Sequence, residues 1–469
     1  MKRMKRMKKW MACFLAASMA LSAAACGKGD ESKEQTVSES NDQGGETAEK
    51  TTITVTFRDD GQLEKNVLYM WLTEAYESYP KKDEVELKLA PLTVSAGDYF
   101  AKVALSLQSE DTAPDLIAED TFQLGTDVNA GFLEPLDEYL ADYEDWNNGS
   151  YYEKLKAGCT APDGKVYAIP YNTDVRGLWY NKEIFKKAGL PEEWQPKTWN
   201  DILDACKAIK ENVPDVVPFW CNSGVATGEA TSMETYQMLY NGTGEKLLDE
   251  NGKWVVKSKG ILDTLGFLSD IYSNGYGPSL SKVLNGQAGV TASQEYMPQG
   301  KLGILIDGNW LPMFYNESGP VPWPEYVDTL GFAAMPTQNG DEPGTVTMSG
   351  GWGWAIPSKS DAKDATFDFI KYMMSEEVYT KALVRMNCIT TRTDTAERSE
   401  YTDLPFMSEA ADMLNGTNFR PLNEKYPSVS TCIQSMVESV VSGTKPEEAM
   451  AQYAVDVERI VGSENVVEK

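Results

Sequence analysis

The chain has 469 residues, with 43 lysines and arginines against 71 aspartates and glutamates, and a formal net charge of -28 at pH 7. A surface this acidic repels nucleic acid and anionic lipid headgroups, so we expect neither as a ligand. The sequence contains no histidine, which excludes Ser-His-Asp and Cys-His catalysis and histidine-based zinc sites.

Residues 1–25 have the three parts of a secretory signal peptide. Basic residues are followed by a short apolar segment from Trp10 and then by small residues before Cys26. The apolar segment is too short to span a bilayer comfortably, so a signal peptide is predicted rather than a transmembrane helix. The stretch LSAAAC is similar to a bacterial lipobox, which implies that Cys26 is lipidated and becomes the new amino terminus.

Residues 26–50 follow as a polar stretch with no aromatic residue. Such a stretch cannot bury enough apolar surface to offset ordering, so it predicts a flexible tether with a reach of roughly 25 to 30 Å. Anchor and tether together predict a folded body held at the extracellular face of a cell membrane, and a Gram-positive envelope fits best.

The remaining chain, from residue 51, is long enough for two domains. Strand-like and helix-like segments alternate along it, which predicts α/β domains with largely parallel sheets. The strand-like segments are TTITVTF, EVELKLA, PDLIAE, DVVPFW and KLGILID. The last helix is predicted to begin with a capping box from Thr444 to Glu447.

Polar or aromatic residues follow several of the predicted strands. In parallel sheets, ligands bind beyond the carboxyl ends of the strands, which makes these residues candidates for a binding site. They are equally consistent with ordinary polar loops and helix caps. The residues are Arg58, Asp59, Glu119, Asp120, Trp220, Asp307 and Trp310.

The stretch TMSGGWGWAIPS places Trp352 and Trp354 two residues apart, behind Gly350 and Gly351. Alternation of large side chains suits a half-buried strand, in which both tryptophans belong to the core. The glycines instead allow a sharp turn or a close approach, which suits an aromatic wall at the edge of a cleft. Because the two tryptophans share a parity, they face different surroundings only if the strand is disturbed.

Five cysteines remain after Cys13 and Cys26, an odd number without C-x-x-C spacing. At least one is therefore unpaired within a monomer. Cys206 lies on the apolar face of a predicted helix, and we expect it to be a buried free thiol. The stretch DENGKW lacks the alternate carboxylates of a calcium loop, and the sequence predicts no metal site and no cofactor.

A family resemblance rests on four blocks in a fixed order. The stretch from Asp163 to Ile202 resembles the extracellular solute-binding proteins of family 1, the sugar-binding lipoproteins of ABC importers that include maltose-binding protein. The block NAGFLEPLDEYL before that stretch, and the blocks GKLGILIDGNW and GGWGWAIPSKSDAKDATFDFIKYM after it, are similar to further segments of the same family. The matching positions in the stretch from Asp163 to Ile202 are Pro170, Trp179, Tyr180, Asn181, Lys182, Ala188, Gly189, Pro196, Thr198 and Trp199.

The resemblance implies an α/β, two-lobed periplasmic-binding-protein type II fold with a hinge and an interlobe ligand cleft. Its implied limits are 51–173 for the first part of lobe 1 and 174–335 for the first part of lobe 2. The chain then returns to lobe 1 over 336–400, and to lobe 2 with the C-terminal helix over 401–469.

The same resemblance implies a carbohydrate ligand in the cleft. Asp174, Trp310 and Trp352 fall where relatives contact sugar. Tyr426 either replaces a stacking aromatic that is absent near Thr431 and Cys432, or that subsite is lost. The other candidates for ligand contact are Asn172, Arg176, Asp59, Glu119, Trp220, Asp307 and Trp354.

The implied function is capture of a carbohydrate, an oligosaccharide above all, and its delivery to ABC permease membrane subunits by a monomer that is not an enzyme. A secreted glycoside hydrolase is an alternative, because two carboxylates suffice for that reaction. Its candidate pairs are Asp59 with Asp60 and Glu119 with Asp120. A further alternative is a binding protein that signals to a membrane sensor.

Overall fold

The computed structural model describes residues 50–469 apart from Asp60 and Leu422. The predicted signal peptide, Cys26 and the tether up to residue 49 lie outside the described residues. Among the residues described, no helix is both long enough and apolar enough to cross a membrane.

Sixteen strands are formed by the described residues. They are β1 (Thr51–Thr56), β2 (Arg58–Asp59), β3 (Val85–Leu89), β4 (Leu92–Thr93), β5 (Leu116–Asp120), β6 (Ala168–Thr173), β7 (Arg176–Asn181), β8 (Val217–Trp220), β9 (Trp254–Lys257), β10 (Leu302–Gly308), β11 (Leu330–Ala333), β12 (Met335–Pro336), β13 (Thr345–Met348), β14 (Gly351–Ala355), β15 (Thr417–Asn418) and β16 (Val466–Glu468). All five strand-like segments predicted from the sequence form strands, namely β1, β3, β5, β8 and β10.

The α-helices of the described residues are α1 (Val67–Ser78), α2 (Ala96–Ser106), α3 (Thr121–Asn129), α4 (Asp137–Ala141), α5 (Glu144–Asn147), α6 (Glu153–Ala157), α7 (Lys182–Ala188), α8 (Trp199–Asn212), α9 (Met238–Gly242), α10 (Lys259–Ser273), α11 (Leu280–Val283), α12 (Ala288–Val290), α13 (Tyr326–Thr329), α14 (Lys363–Met373), α15 (Glu376–Met386), α16 (Ser399–Thr402), α17 (Met407–Met413), α18 (Tyr426–Val441) and α19 (Pro446–Val461). Two π-helical segments, Ala230–Gln237 and Thr291–Tyr296, interrupt this pattern.

Two sheets organise the fold. The first has the order β3-β1-β5-β14-β6, and we call the part of the protein built on it the first lobe. The second has the order β11-β7-β10-β8 and defines the second lobe. Helices α18 and α19 pack against each other and supply apolar side chains to the core of the second lobe.

Both sheets are mixed, so the prediction of largely parallel sheets is wrong. In the first sheet β1 runs parallel to β3 and β5, but β14 runs antiparallel to β5 and β6. In the second sheet β10 runs parallel to β8, but antiparallel to β7, which also runs antiparallel to β11. The strands that run antiparallel to their neighbours, β7 and β14, are those by which the chain enters one lobe from the other. A strand that arrives from another lobe does not need the right-handed crossover connection that joins parallel neighbours.

The chain passes between the lobes three times. The first crossing is the short link between β6 and β7, the second leads from β12 through β13 to β14, and the third leads from α15, which packs on α1 of the first lobe, through β15 to α18. Thr173 Oγ1 donates to the Gly350 carbonyl oxygen over 2.8 Å, the Arg176 amide donates to Thr347 Oγ1 over 2.9 Å, and β15 pairs with β13. The three crossings are therefore bound side by side.

Helix ends follow local sequence where tertiary packing permits. Helix α8 begins with the capping box of Thr198 and Asp201. Helix α19 does not use the predicted box, because Lys445 is its N-cap, no side chain caps it, and Pro446 occupies the first turn. Proline at that position needs no backbone hydrogen bond, and the N-cap lies one residue later than predicted.

All five described cysteines are free, and Cys206 is fully buried, as predicted.

Candidate functional site

A cleft of about 330 Å³ lies between the two lobes where strand ends face each other. The first lobe lines it with Ala118 and Asp120 from the end of β5, Tyr171 and Asn172 from the end of β6, and Trp352 from the start of β14. These ends meet at one edge of the sheet because β14 runs antiparallel to both of its neighbours. The first lobe thus supplies a carboxylate, an amide and two aromatic rings.

The second lobe lines the opposite side. Arg176 begins β7, and Trp310 follows the end of β10. The last residue of β10, Gly308, pairs with Arg176, so both side chains come from the same edge of the second sheet. Glu234 comes from the π-helical segment Ala230–Gln237. Segments of this type are rare and appear frequently at functional sites.

Arg176 and Asp174 form an ion pair at the first crossing. The Arg176 guanidinium also donates to the Met348 carbonyl oxygen over 3.3 Å, and the Asp174 carboxylate accepts from the Gly350 amide over 2.8 Å. Both charged side chains are more than nine-tenths buried. Because Met348 and Gly350 belong to the second crossing, this pair joins the first and second crossings beside the cleft.

Glu234 faces the same guanidinium from the second lobe. Its Oε2 lies 4.0 Å from Arg176 Nε, and its Oε1 accepts from Asn222 Nδ2 over 3.1 Å. Burial raises the pKa of Glu234 well above its ordinary value, the nearby Asp307 raises it further, and Arg176 lowers it. Burial also raises the pKa of Asp307 to about 7, although the hydrogen bond that its carboxylate accepts from the Gly308 amide lowers it. The cluster therefore retains a proton near neutral pH.

Trp310 is held by two close contacts. The Arg176 guanidinium carbon lies 4.9 Å from the centroid of its ring, which is a cation–π arrangement. On another side, a Cβ placed on Gly308 would lie 2.1 Å from the Trp310 ring, so only glycine fits at 308. The sequence DGNW thus fixes the tryptophan as a rigid plate.

Arg420 connects the two lobes across the cleft. Its Nη2 donates to Asp120 Oδ1 of the first lobe over 2.6 Å, and its Nη1 donates to Glu229 Oε2 of the second lobe over 3.3 Å. The guanidinium carbon lies 4.5 Å from the centroid of the Phe122 ring. Arg420 is only 7% exposed, so both ion pairs are shielded from water.

Trp352 and Trp354 have different surroundings despite their shared parity. The pairing of β14 with β6 shifts register between Trp352 and Gly353. Trp352 is partly exposed in the cleft and stacks on Phe100, whereas Trp354 is fully buried against Trp71. The extra residue of this irregularity is Tyr171 of β6, and β14 pairs with β5 without interruption from Trp352 to Ala355. The expectation that the two tryptophans differ only if β14 is disturbed is therefore wrong, because Trp352 lies next to the end of the strand that borders the cleft and Trp354 lies inside the sheet.

The structure brings seven of the thirteen candidate residues into the lining of the cleft and leaves six outside it. The seven are Arg58, Asp120, Asn172, Asp174, Arg176, Trp310 and Trp352. The six are Asp59, Glu119, Trp220, Asp307, Trp354 and Tyr426.

Trp220 and Trp354 are core residues, and we withdraw both from the candidate site. Each is completely buried. Trp220 ends β8, the outer strand of the second sheet, and packs against Tyr296 with ring centroids 5.3 Å apart. Trp220 lies at the edge of the second sheet, whereas Trp310 and Trp352 follow or begin strands that are next to the crossings, and of the three only these two line the cleft.

Asp59 and Glu119 are also withdrawn. Asp59 holds a turn, because its carboxylate accepts from the Gln62 and Leu63 amides over 2.9 and 3.0 Å. Glu119 alternates with Ala118 and Asp120 along β5 and points to the opposite face of the sheet. Burial there raises its pKa well above the ordinary value.

Asp307 and Tyr426 stand next to lining residues without lining the cleft themselves. Asp307 acts on Glu234 through its charge, as described above. Tyr426 is completely buried, donates to Glu229 Oε2 over 2.8 Å and accepts from Gln237 Nε2 over 2.8 Å. It therefore positions Glu229 and does not replace a stacking aromatic.

Five charged lining residues, Lys65, Glu229, Glu234, Arg385 and Arg420, were not predicted from the sequence. Glu229 and Glu234 belong to the stretch GEATSMETYQ, whose side-chain directions follow from a π-helix that ordinary helical periodicity does not describe. Arg420 lies in an irregular segment after β15. A count of unpaired buried charges would have indicated that a partner for Asp120 was missing, which Arg420 supplies.

Comparison with known proteins gives a consistent result. The profile described as bacterial extracellular solute-binding protein matches residues 66–380. A maltooligosaccharide ABC transporter solute-binding lipoprotein of Streptococcus pneumoniae serotype 4 (strain ATCC BAA-334 / TIGR4) is 23% identical over 423 residues, which cover 88% of this chain and 91% of the relative.

Two solved structures are similar over 88% of this chain and 100% of their own. An ABC transporter solute-binding protein from Thermotoga lettingae TMO, bound with α-D-tagatose, has a TM-score of 0.75 at 25% identity. The maltose-bound MalE3 of T. maritima has a TM-score of 0.75 at 22% identity, a likeness of fold. The interlobe cleft is thus part of a known two-lobed architecture.

Replacement of Arg420 by methionine is expected to destabilise the protein by about 3 to 5 kcal/mol, because two buried carboxylates lose their shared partner. Urea denaturation at pH 7 measures the difference. The matched control is Arg398→Met, since Arg398 pairs with Glu376 over 3.0 Å at a more exposed site, where the loss is expected to stay below about 1 kcal/mol. Equal losses in the two variants would contradict the buried bridge.

The pKa of Asp307 predicts a pH-dependent stability difference. The pKa of Asp307 in the folded protein is about 7, which lies above the unfolded value of about 3.9. The contribution of the protonated carboxyl to the free energy of unfolding is therefore full below about pH 4 and is lost as the pH rises through 7. The variant Asp307→Asn cannot ionise and escapes this loss. Its stability relative to the native protein is therefore expected to increase between pH 5 and pH 8, by at least about 1 kcal/mol.

Thermal unfolding at several pH values measures this difference, with Asp361→Asn as the control because Asp361 is exposed. A difference between Asp307→Asn and the native protein that stays constant across the pH range would show that Asp307 does not titrate there.

Proposed function

Because the chain belongs to the family of bacterial extracellular solute-binding proteins, matched over residues 66–380, we propose that it captures a carbohydrate between its lobes and delivers it to the membrane subunits of an ABC transporter. The observation that carries the proposal is the pair of aromatic plates, Trp310 and Trp352, which line one cleft together with paired arginines and carboxylates. Plates and polar groups come from both lobes.

This combination fits the chemistry of a sugar. A pyranose ring has C–H faces that pack on flat aromatic rings and hydroxyls that need hydrogen-bond partners at the edge. Burying about 100 Å² of apolar face on one tryptophan contributes roughly 2.5 kcal/mol. Two plates contribute about 5 kcal/mol on this basis. Micromolar affinity, about -8 kcal/mol, therefore requires the polar edge to supply the remainder and to offset the entropy of association.

The polar groups of the cleft are already oriented by one another. Asp174 is held by Arg176 and the Gly350 amide, and Asp120 is held by Arg420. Groups fixed in this way lose little conformational entropy when a ligand binds. Their remaining lone pairs and N–H groups suit hydroxyls, which donate and accept alike.

Contacts between the lobes support a hinge that closes on the ligand. Gln62 Nε2 of the first lobe donates to Gln294 Oε1 of the second over 2.9 Å, and Gln62 lines the cleft. A ligand that touches both lobes stabilises this arrangement relative to an open one. Rotation would occur at the three crossings, which are the links between the lobes.

Relatives support a sugar as the ligand class. The pneumococcal relative is named for maltooligosaccharides, and the Thermotoga structure holds α-D-tagatose. For the alternative of a glycoside hydrolase, the candidate pairs were Asp59 with Asp60 and Glu119 with Asp120. Asp59 and Glu119 lie outside the lining of the cleft, so neither pair flanks a ligand there, and we retain the binding function.

The placement at the membrane is part of the proposal. We infer an extracellular lipoprotein anchored through Cys26, with the signal peptide over 1–25 removed and residues 26–50 as the tether. The domain limits at 173, 335 and 400 are proposed as the borders of the lobes, and the protein is proposed to act as a monomer. Sugar binding requires no second copy, since both sides of the cleft come from one chain.

Sugar binding is tested by a thermal-shift screen of residues 50–469 against mono- and oligosaccharides. At a hundredfold excess over the dissociation constant, a ligand adds about 2.7 kcal/mol of stability, a visible shift of the midpoint. The variant Trp352→Ala is expected to lose most of that shift, and the control Trp194→Ala, outside the lining, to keep it. No shift with any sugar would refute the carbohydrate assignment.

The lipid anchor is tested by labelling growing cells with a radioactive fatty acid. The native protein is expected to take up the label and Cys26→Ser to take up none, since the lipobox cysteine is the proposed acceptor. The control Cys432→Ser alters a free cysteine elsewhere in the chain and is expected to remain labelled. Label in the Cys26→Ser protein would place the lipid at another residue.

A further inference from the structure

The lining of the cleft is divided into a polar side and an apolar side. The polar side centres on Arg176 and Arg420, which approach each other at Gly350. A Cβ on Gly350 would lie 3.5 Å from Arg176 Nη1 and 3.1 Å from Arg420 Nη2. The carboxylates that line the cleft all belong to this side, because each lies beside one of these two arginines.

The apolar side is formed by two segments. The first turn of α1 supplies Val67, Leu68 and Met70, whereas the next residues of the helix, Trp71 and Leu72, are buried in the core. The segment after β10 supplies Met313, Phe314 and Pro320. All six lining side chains are only partly buried, so they present apolar surface to the cleft.

The two apolar segments are neighbours in space because both contact the end of α15. Arg385 Nη2 pairs with Glu74 of α1 over 2.9 Å, and the Arg385 carbonyl oxygen accepts from Asn316 Nδ2 over 3.4 Å. The next residue, Met386, also lines the cleft. We call the apolar side chains that these segments contribute to the lining the apolar wall: Val67, Leu68, Met70, Met313, Phe314, Pro320 and Met386. The polar residues Lys65, Asn66, Ser318 and Arg385 of the same segments line the cleft beside them.

The apolar wall is poorly suited to a further sugar ring. Six of its seven side chains are aliphatic or thioether groups, Phe314 supplies a single aromatic ring, and none of the seven offers a strong hydrogen-bond partner. A hydroxyl that leaves water to lie against such a surface loses its hydrogen bonds, at a cost of about 1 to 3 kcal/mol each. Methionine instead adapts its shape to apolar groups of varied form.

We propose that the natural ligand is a short glycoside, one or two sugar rings that carry an apolar aglycone, with the aglycone on the apolar wall. This rests on the proposed function, because the sugar is assigned to the side with Trp310, Trp352 and the arginines. The size of the cleft agrees, since about 330 Å³ is near the lower end of the range of roughly 300–1,000 Å³ for small-molecule sites. A long unsubstituted oligosaccharide would put hydroxyls against the wall.

The test uses methyl and phenyl pyranosides of glucose, galactose, mannose and xylose, in both anomers, and titration calorimetry with residues 50–469. For the sugar that binds, the phenyl glycoside is expected to bind at least tenfold more tightly than the methyl glycoside. In Phe314→Ala and, independently, in Met70→Gln, the ratio of the two dissociation constants is expected to fall towards one. Two variants are used so that a folding defect in one leaves the other informative.

Leu105→Ala is the matched control, because Leu105 is an exposed apolar side chain outside the cleft, and its ratio is expected to stay at the native value. Equal affinities for both glycosides would overturn the inference and leave the sugar-binding function in place. So would a tenfold preference that survives in both variants, or binding of free oligosaccharides without binding of any glycoside. Failure of every free sugar and every glycoside to bind would refute the proposed function itself.

Discussion

Two buried guanidinium groups dictate how the lobes meet. A charge removed from water is tolerated only with charged or hydrogen-bonding partners around it, so Arg176 and Arg420 each require carboxylates on more than one side. For Arg420, these partners are Asp120 of the first lobe and Glu229 of the second. Both guanidinium groups reach Gly350, where a Cβ would lie 3.1 Å from Arg420 Nη2, so a side chain at this position would require that guanidinium to shift. One electrostatic requirement thus explains a chain crossing and much of the polar lining.

The sequence predicted the features that depend on neighbouring residues in the chain. Hydrophobic alternation located the strands, and the family motif led to Asp174 and Trp310 because it includes the first crossing and the end of β10. It failed where the answer depends on distant parts of the chain. Arg420 has a role only because β5 and the π-helical segment approach it, and its own neighbours in the sequence contain no sign of either.

The two tryptophans of β14 show the same limit at the scale of one strand. The alternation of β14 alone did not indicate whether Trp352 or Trp354 would face the cleft, and only the family resemblance favoured Trp352. The position of Trp352 depends also on β6, where Asn172, 180 positions earlier, accepts from its amide. Register is a property of the pair of strands and of the packing on both faces, not of either strand alone.

The position of β14 in the chain also has consequences for folding. This strand lies between β5 and β6 in the first sheet, yet it is translated after the whole of the second sheet. During vectorial synthesis the first lobe therefore emerges with a gap in its sheet, and its hydrophobic face is exposed until the missing strand arrives. Contacts of such high contact order form slowly, since a long loop must close before they contribute. The N-terminal lobe is consequently not an autonomous folding unit, and a chain interrupted before residue 351 would present unpaired strand edges to chaperones or to other chains.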